Sequence, residues 1–142
     1  MRRDAQCCQR LQTDKGVQQM TYGKDVQQEL RPHARELRRM IPDVYKAFGA
    51  LHSAALTDGA LDAKTKELMA FAISVSKQCD GCIAAHARGA AMQGATLEEA
   101  AEAIGVAVLM NGGPATVYGP RALSSFAEFH ADVHASGAAA PN

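Results

Sequence analysis

Two cysteines and a histidine are the residues best suited to chemistry in this chain: Cys79-Asp80-Gly81-Cys82 is followed at once by Ile83-Ala84-Ala85-His86. On a helix that begins near Cys79, residues three and four apart are surface neighbours, so Cys79, Cys82 and His86 fall along one face. Unpaired backbone N–H groups and the helix dipole at such an N-terminus favour thiolate over thiol, lowering a pKa that is about 8.5 in a free cysteine. His86, one turn from Cys82, supplies a proton acceptor or, once protonated, a cation. Glu67 lies twelve residues before Cys79. A chain reversal between the two helices brings its carboxylate back toward the cysteines, where it can orient His86 or pass protons through water, a Cys, His, Glu relay with the logic of other activated nucleophiles. By position Cys82 is the better nucleophile.

These parts predict a reaction. The Cys82 thiolate attacks the terminal oxygen of a hydroperoxide, His86 and Glu67 help protonate the departing alcohol, and Cys82 becomes a sulfenic acid. Cys79 resolves it as an intramolecular disulfide, which an external dithiol reduces by exchange. Blander readings stand beside this one. The cysteines can be buried and inert, Glu67 a surface carboxylate and His86 a structural helix histidine. A zinc ion can draw on Cys79, Cys82 and His86, with His130 and His134 four apart on a helix, although the spacing of a second half-site is missing. Tyr118 is read as a core tyrosine or a pocket residue.

The elements that must position these residues are helical. Residues 24–40 form an amphipathic pattern interrupted or initiated around Pro32, and Pro42 opens a short helix through Val44, Tyr45, Phe48 and Leu51. Thr57-Asp58-Gly59-Ala60 reads as a turn. Asp62 is the expected N-cap of a helix to about Lys77, with an inward face drawn from Leu61, Leu68, Met69, Ala72, Ile73 and Val75. The CxxC helix runs from Asp80 or Gly81 to Gln93 and stops at Gly94, after which Thr96-Leu97-Glu98-Glu99 is a capping-box signature. Asn111-Gly112-Gly113-Pro114 separates that next helix from the last one, in which Pro120 predicts a kink or restart.

Composition agrees. The chain has 142 residues, 47% apolar, with 5% aromatic residues and no tryptophan, which suits one domain of closely packed, alanine-rich helices. The fold class expected is all-α, over residues 22–134, with flexible tails at 1–21 and 135–142. Net charge is zero, which gives no reason to expect nucleic acid or an anionic membrane as partner. Residues 1–40 carry nine Lys/Arg against five Asp/Glu and the remainder six against ten, an asymmetry that suits a solvated basic face or a contact between subunits. No run of 18 apolar residues is present, and the polar start lacks the apolar segment of a secretory signal, so a cytoplasmic location is expected. In a reducing compartment a CxxC is more often catalytic or metal-binding than a static staple. Cys7 and Cys8 read as incidental thiols in the tail, and Met20 as a possible natural start.

The run from Glu67 to Tyr118, with Glu67, CxxCxxxH, Gly94-Ala95-Thr96 and Glu99, resembles the carboxymuconolactone decarboxylase superfamily in its alkylhydroperoxidase D-like branch. The resemblance implies an all-α fold, a homo-oligomer of trimer or hexamer type, and a thiol peroxidase reduced in some members by a lipoylated protein, with no cofactor. By motif position Cys82 would be peroxidatic, Cys79 resolving, and Glu67 and His86 the proton relay. The best-studied peroxidases of the branch place a second histidine immediately before the second cysteine, where this chain has Gly81. That departure bears on peroxidase efficiency rather than on disulfide exchange. The decarboxylase branch does not rely on a CxxC, so the pair argues against lactone decarboxylation. The alternatives are a disulfide reductase with weak peroxidase activity and a non-catalytic redox-sensing module.

Overall fold

Cap and turn residues set the frame of the molecule. The computed structural model describes residues 21–137, in which six helices and no strand occur: α1 (Lys24–Met40), α2 (Pro42–Leu56), α3 (Ala63–Ser76), α4 (Asp80–Met92), α5 (Leu97–Asn111) and α6 (Gly113–Gly137). The all-α expectation holds. Cys7, Cys8 and Met20 lie outside the described residues. Asp62 caps α3 by accepting from the Thr65 amide at 2.7 Å. Thr96 and Glu99 form the reciprocal box that opens α5, at 3.2 and 2.8 Å, and Lys64 reaches across from α3 to Glu99 at 2.6 Å. Gly94, at φ +78°, ends α4 with its own amide on the Ala91 carbonyl and the Ala95 amide on that of Ala90, both at 3.0 Å.

α1 runs unbroken through Pro32, which neither interrupts nor initiates it, and α6 continues through Pro120 without a restart. Each proline removes one intrahelical hydrogen bond, and packing on neighbouring helices offsets the loss. α6 lies against α3, α4 and α5, and α1 against α4. The start of α1 is held from a distance: the Glu128 carboxylate on α6 accepts from the Gly23 and Lys24 amides at 3.2 and 3.0 Å, placing an anion on the positive end of the helix dipole.

The core is formed by α3 to α6. Phe71 and Phe126 are fully buried with ring centroids 6.1 Å apart, and a row of buried alanines on α4, Ala84, Ala87, Ala90 and Ala91, lets its neighbours approach. Each buried phenylalanine contributes about 1.5–3 kcal/mol by removal from water. The inward face of α3 is in part the one expected, since Val75 is buried and Leu68 and Ala72 pack against the core. Glu67, Phe71 and Ser74 also point inward, while Met69 and Ile73 are 50% and 56% exposed and Leu61 is exposed as well. Apolar residues occupy both sides of this helix, so periodicity did not choose between them. The chosen side carries a carboxylate, which only a tertiary partner makes tolerable.

α2 is attached lightly, touching α1 and α3, and none of its residues is buried. Val44, Phe48 and Leu51 are 61%, 61% and 65% exposed. No helix of the described residues is long and apolar enough to cross a membrane.

Near the end of α6, His130 sits against the Phe126 ring, and its Nε2 lies 2.9 Å from His134 Nε2. Burial, then the charge of His134, hold the His130 pKa below its ordinary value of 6.5, with Glu98 opposing. The unfolded chain therefore binds this proton more tightly. Stability is intact above the ordinary value and falls as pH drops from there toward the depressed folded value. Thermal unfolding between about pH 8 and about pH 5 should show this loss, with a shallower slope in His130→Gln. An unchanged slope in the variant would remove His130 as its source.

Candidate functional site

The approach to the CxxC pair is built by a helix reversal. After α3, Gln78 adopts a left-handed φ of +55°; its amide donates to the Val75 carbonyl at 3.1 Å, and the Cys79 amide to that of Ser74 at 3.2 Å. This is the same hydrogen-bond pattern that Gly94 makes at the end of α4, here with a glutamine in a conformation that costs an L-residue about 1–2 kcal/mol. The strained residue directly precedes Cys79.

Cys79 is the N-cap of α4, its sulfur accepting from the Cys82 amide at 3.3 Å. The two cysteines form a disulfide across one helical turn, with Cα atoms 5.2 Å apart. Cys82 is exposed and Cys79 half-buried. Between them, Asp80 faces the Arg121 guanidinium of α6 at 3.7 Å, and Arg121 lies over the rings of Tyr118 and Tyr22, at 4.8 and 5.2 Å from their centroids. Tyr118 is thus a partly buried residue packed on the core and stacked under a cation. Arg121 was not singled out by the sequence, because nothing in local spacing links it to the first turn of α4.

Glu67 and His86 are brought together. Glu67 on α3 is 8% exposed, and its Oε2 lies 2.8 Å from His86 Nδ1 on α4. A carboxylate only accepts, so Nδ1 carries the proton and Nε2 of the neutral imidazole is left as the basic nitrogen. Gly89, one turn beyond His86, makes room for this contact: a Cβ there would overlap the Glu67 carboxyl group. Gly81 is likewise closed in, because a Cβ at that position would come within 3.2 Å of Leu30 Cδ1 on α1. Where the resembled peroxidases carry a histidine, this fold lays a leucine.

His52 on α2 joins the pair. Its ring stacks on His86 at 6.0 Å between centroids and 16° between planes, and one donor atom from each of His52, Glu67 and His86 lies within 4.8 Å of the other two. No local pattern points to it, since His52 sits on another helix in no recognisable spacing with the others. The zinc grouping weighed from the sequence is not assembled. The cysteines are joined to each other, and neither belongs to the three-donor cluster found among the described residues. His130 and His134 pair with one another on α6. Two open clefts lie elsewhere: one of about 540 Å³ with Lys24, Arg31 and Arg88 in its wall, and one of about 390 Å³ between α5 and α6. Neither is lined by the cysteines, Glu67 or His86.

With this geometry in place, similarity to known proteins becomes informative. The model of the carboxymuconolactone decarboxylase family matches residues 42–125, from α2 into α6. The crystal structure of apo carboxymuconolactone decarboxylase family protein from Legionella pneumophila superposes with a TM-score of 0.72 at 41% identity, over 75% of this chain and 96% of that one. An uncharacterized protein of Cupriavidus necator is 40% identical over 85 residues, 60% of this chain and 75% of that protein. Uncharacterized protein 4 in the cox locus of Paracoccus denitrificans is 42% identical over 89 residues, 63% and 80% of the two chains.

The close fit at Gly89 yields a direct test. Gly89→Ala should expel the Glu67 carboxylate, break its hydrogen bond to His86 and cost about 1–3 kcal/mol of stability by overpacking. Urea unfolding and the imidazole N–H resonance of His86 report the two effects. If both match the parent protein, Glu67 is not seated against Gly89.

Proposed function

The chain belongs to the carboxymuconolactone decarboxylase family, and on that premise we propose that it is a thiol-dependent peroxidase that reduces organic hydroperoxides through a Cys79/Cys82 dithiol–disulfide cycle. The observation that carries this reading is the Glu67–His86 hydrogen bond, 2.8 Å long, which ties α3 to the helix whose start holds the cysteine pair. It gives a nucleophile at a helix N-terminus and an oriented imidazole one turn on. Cys82, the exposed cysteine, attacks the terminal peroxide oxygen. The O–O bond breaks, and the departing alkoxide takes a proton from the relay formed by His86 and Glu67. The Cys79 thiol then displaces water from the Cys82 sulfenic acid and forms the disulfide. An external dithiol, such as the lipoyl group of a lipoylated protein, returns both sulfurs to thiols and is itself oxidised. That requirement suits a reducing compartment, and the cytoplasm is the proposed location.

The exposed apolar face of α2 supports a homo-oligomer, the trimer or hexamer implied by the resemblance. Val44, Phe48 and Leu51 lie on a helix with no buried residue, and closed symmetric assembly of identical chains is the usual way such a face is covered. Light scattering should give three or six chains per particle, and Phe48→Glu should shift the mass downward. A wild-type protein that stays at one chain per particle would end this part of the proposal.

Activity is tested by steady-state turnover of cumene hydroperoxide with dihydrolipoamide as donor. Cys82→Ser should abolish turnover, whereas His86→Ala and Glu67→Gln should lower it by about 10²–10⁴, the range for loss of a positioned proton-transfer group. Cys79→Ser should stop the disulfide cycle after one oxidation. A single stoichiometric oxidation of the wild-type protein, or turnover that survives Cys82→Ser, would sink the peroxidase. Fast disulfide exchange without peroxide turnover would instead favour a disulfide reductase, the reading that Gly81 in place of a histidine supports.

A further inference from the structure

We infer that His52, Glu67 and His86 form a binding site for a divalent transition-metal ion of the zinc class. Three helices contribute one donor each: α2 a histidine, α3 a carboxylate and α4 a histidine, with the three donor atoms mutually within 4.8 Å. Two imidazoles and one carboxylate are a ligand set that zinc and its first-row neighbours take in open, three-ligand sites, the remaining positions being filled by water or another molecule. Calcium and magnesium prefer all-oxygen sets and are disfavoured here.

The spacing suits an ion at the Glu67–His86 contact. Two donors that each stand about 2.0–2.2 Å from a tetrahedral zinc ion are themselves about 3.3–3.6 Å apart, so the Glu67 Oε2–His86 Nδ1 contact, 2.8 Å while it shares a proton, opens by about half an ångström to admit the ion. The ion takes the place of the proton held between them, and that proton is released to solvent on binding. His52 closes the third side. It is exposed on the lightly attached α2, a helix with no buried residue, so adjusting its position to the ion displaces nothing in the core. Burial adds a driving force, since a buried carboxylate needs a hydrogen-bonded cation or a metal beside it, and Glu67 is 8% exposed.

The cysteines are not needed. They are occupied in the disulfide and lie outside the donor cluster, so the site persists in the oxidised protein. Metal binding does not depend on the peroxidase reading. Where that reading holds, the ion occupies the proton relay, and zinc inhibits turnover in a way a chelator reverses.

Cobalt(II), titrated into chelator-treated, full-length protein in the disulfide form, tests the site by its visible absorption, with zinc as competitor. One cobalt per chain is expected, displaced by zinc, with the same result in a Cys79→Ser/Cys82→Ser variant. His52→Ala, on an exposed position, should fold as judged by circular dichroism and weaken cobalt binding by about 100-fold, at or above the 10- to 100-fold cost of removing an outer-shell partner. His134→Ala should bind as the parent does. The proposal is overturned if the disulfide form binds no cobalt, if His52→Ala binds as tightly as the parent, if binding requires reduced cysteines, or if His134→Ala abolishes it.

Discussion

A carboxylate held inside a helical core is the constraint around which this structure is arranged. Glu67 faces inward from α3 next to Phe71 and Val75, where an unpartnered charge would be expensive, and the hydrogen bond to His86 at 2.8 Å makes that placement tolerable. The consequences spread through three helices. α3 is turned so that Met69 and Ile73 face outward, α4 must cross close enough for His86 to reach back, and position 89 must lack a side chain. A buried carboxylate thus occupies the inward side of its helix against the ordinary preference for apolar groups inside.

The reversal between α3 and α4 carries a related conflict. The same terminating pattern appears at Gly94, where glycine enters the left-handed region at no steric cost, and at Gln78, where a glutamine does. The turn positions Cys79 so that its backbone closes α3 while its side chain caps α4, joining the end of one helix and the start of the next at the disulfide. The strained backbone thus directly adjoins the cysteine pair.

α2 joins the site to an exposed apolar stripe. It carries His52 toward His86 and, on the same stripe, exposes Val44, Phe48 and Leu51, the Phe48 ring lying 6.5 Å from that of His52, with little contact to the rest of the chain. Leu30 of α1, packed over Gly81, and Arg121 of α6, facing Asp80, complete the surroundings of the cysteine turn with side chains from opposite ends of the chain.

The sequence alone determined what depends on local spacing. Asp62, the Thr96/Glu99 box and Gly94 marked helix ends because caps act within a few residues, and CxxCxxxH placed the cysteines and His86 on one helix for the same reason. It also pointed to Glu67, through a known spacing. Only the tertiary structure decided which face of α3 turned inward, whether Pro32 and Pro120 interrupted their helices, what closed in Gly81, and that His52 and Arg121 stood beside the site. Those outcomes arise from contacts between helices far apart in the chain, where the balance of packing against a lost hydrogen bond or a buried charge is set by partners that no local pattern names.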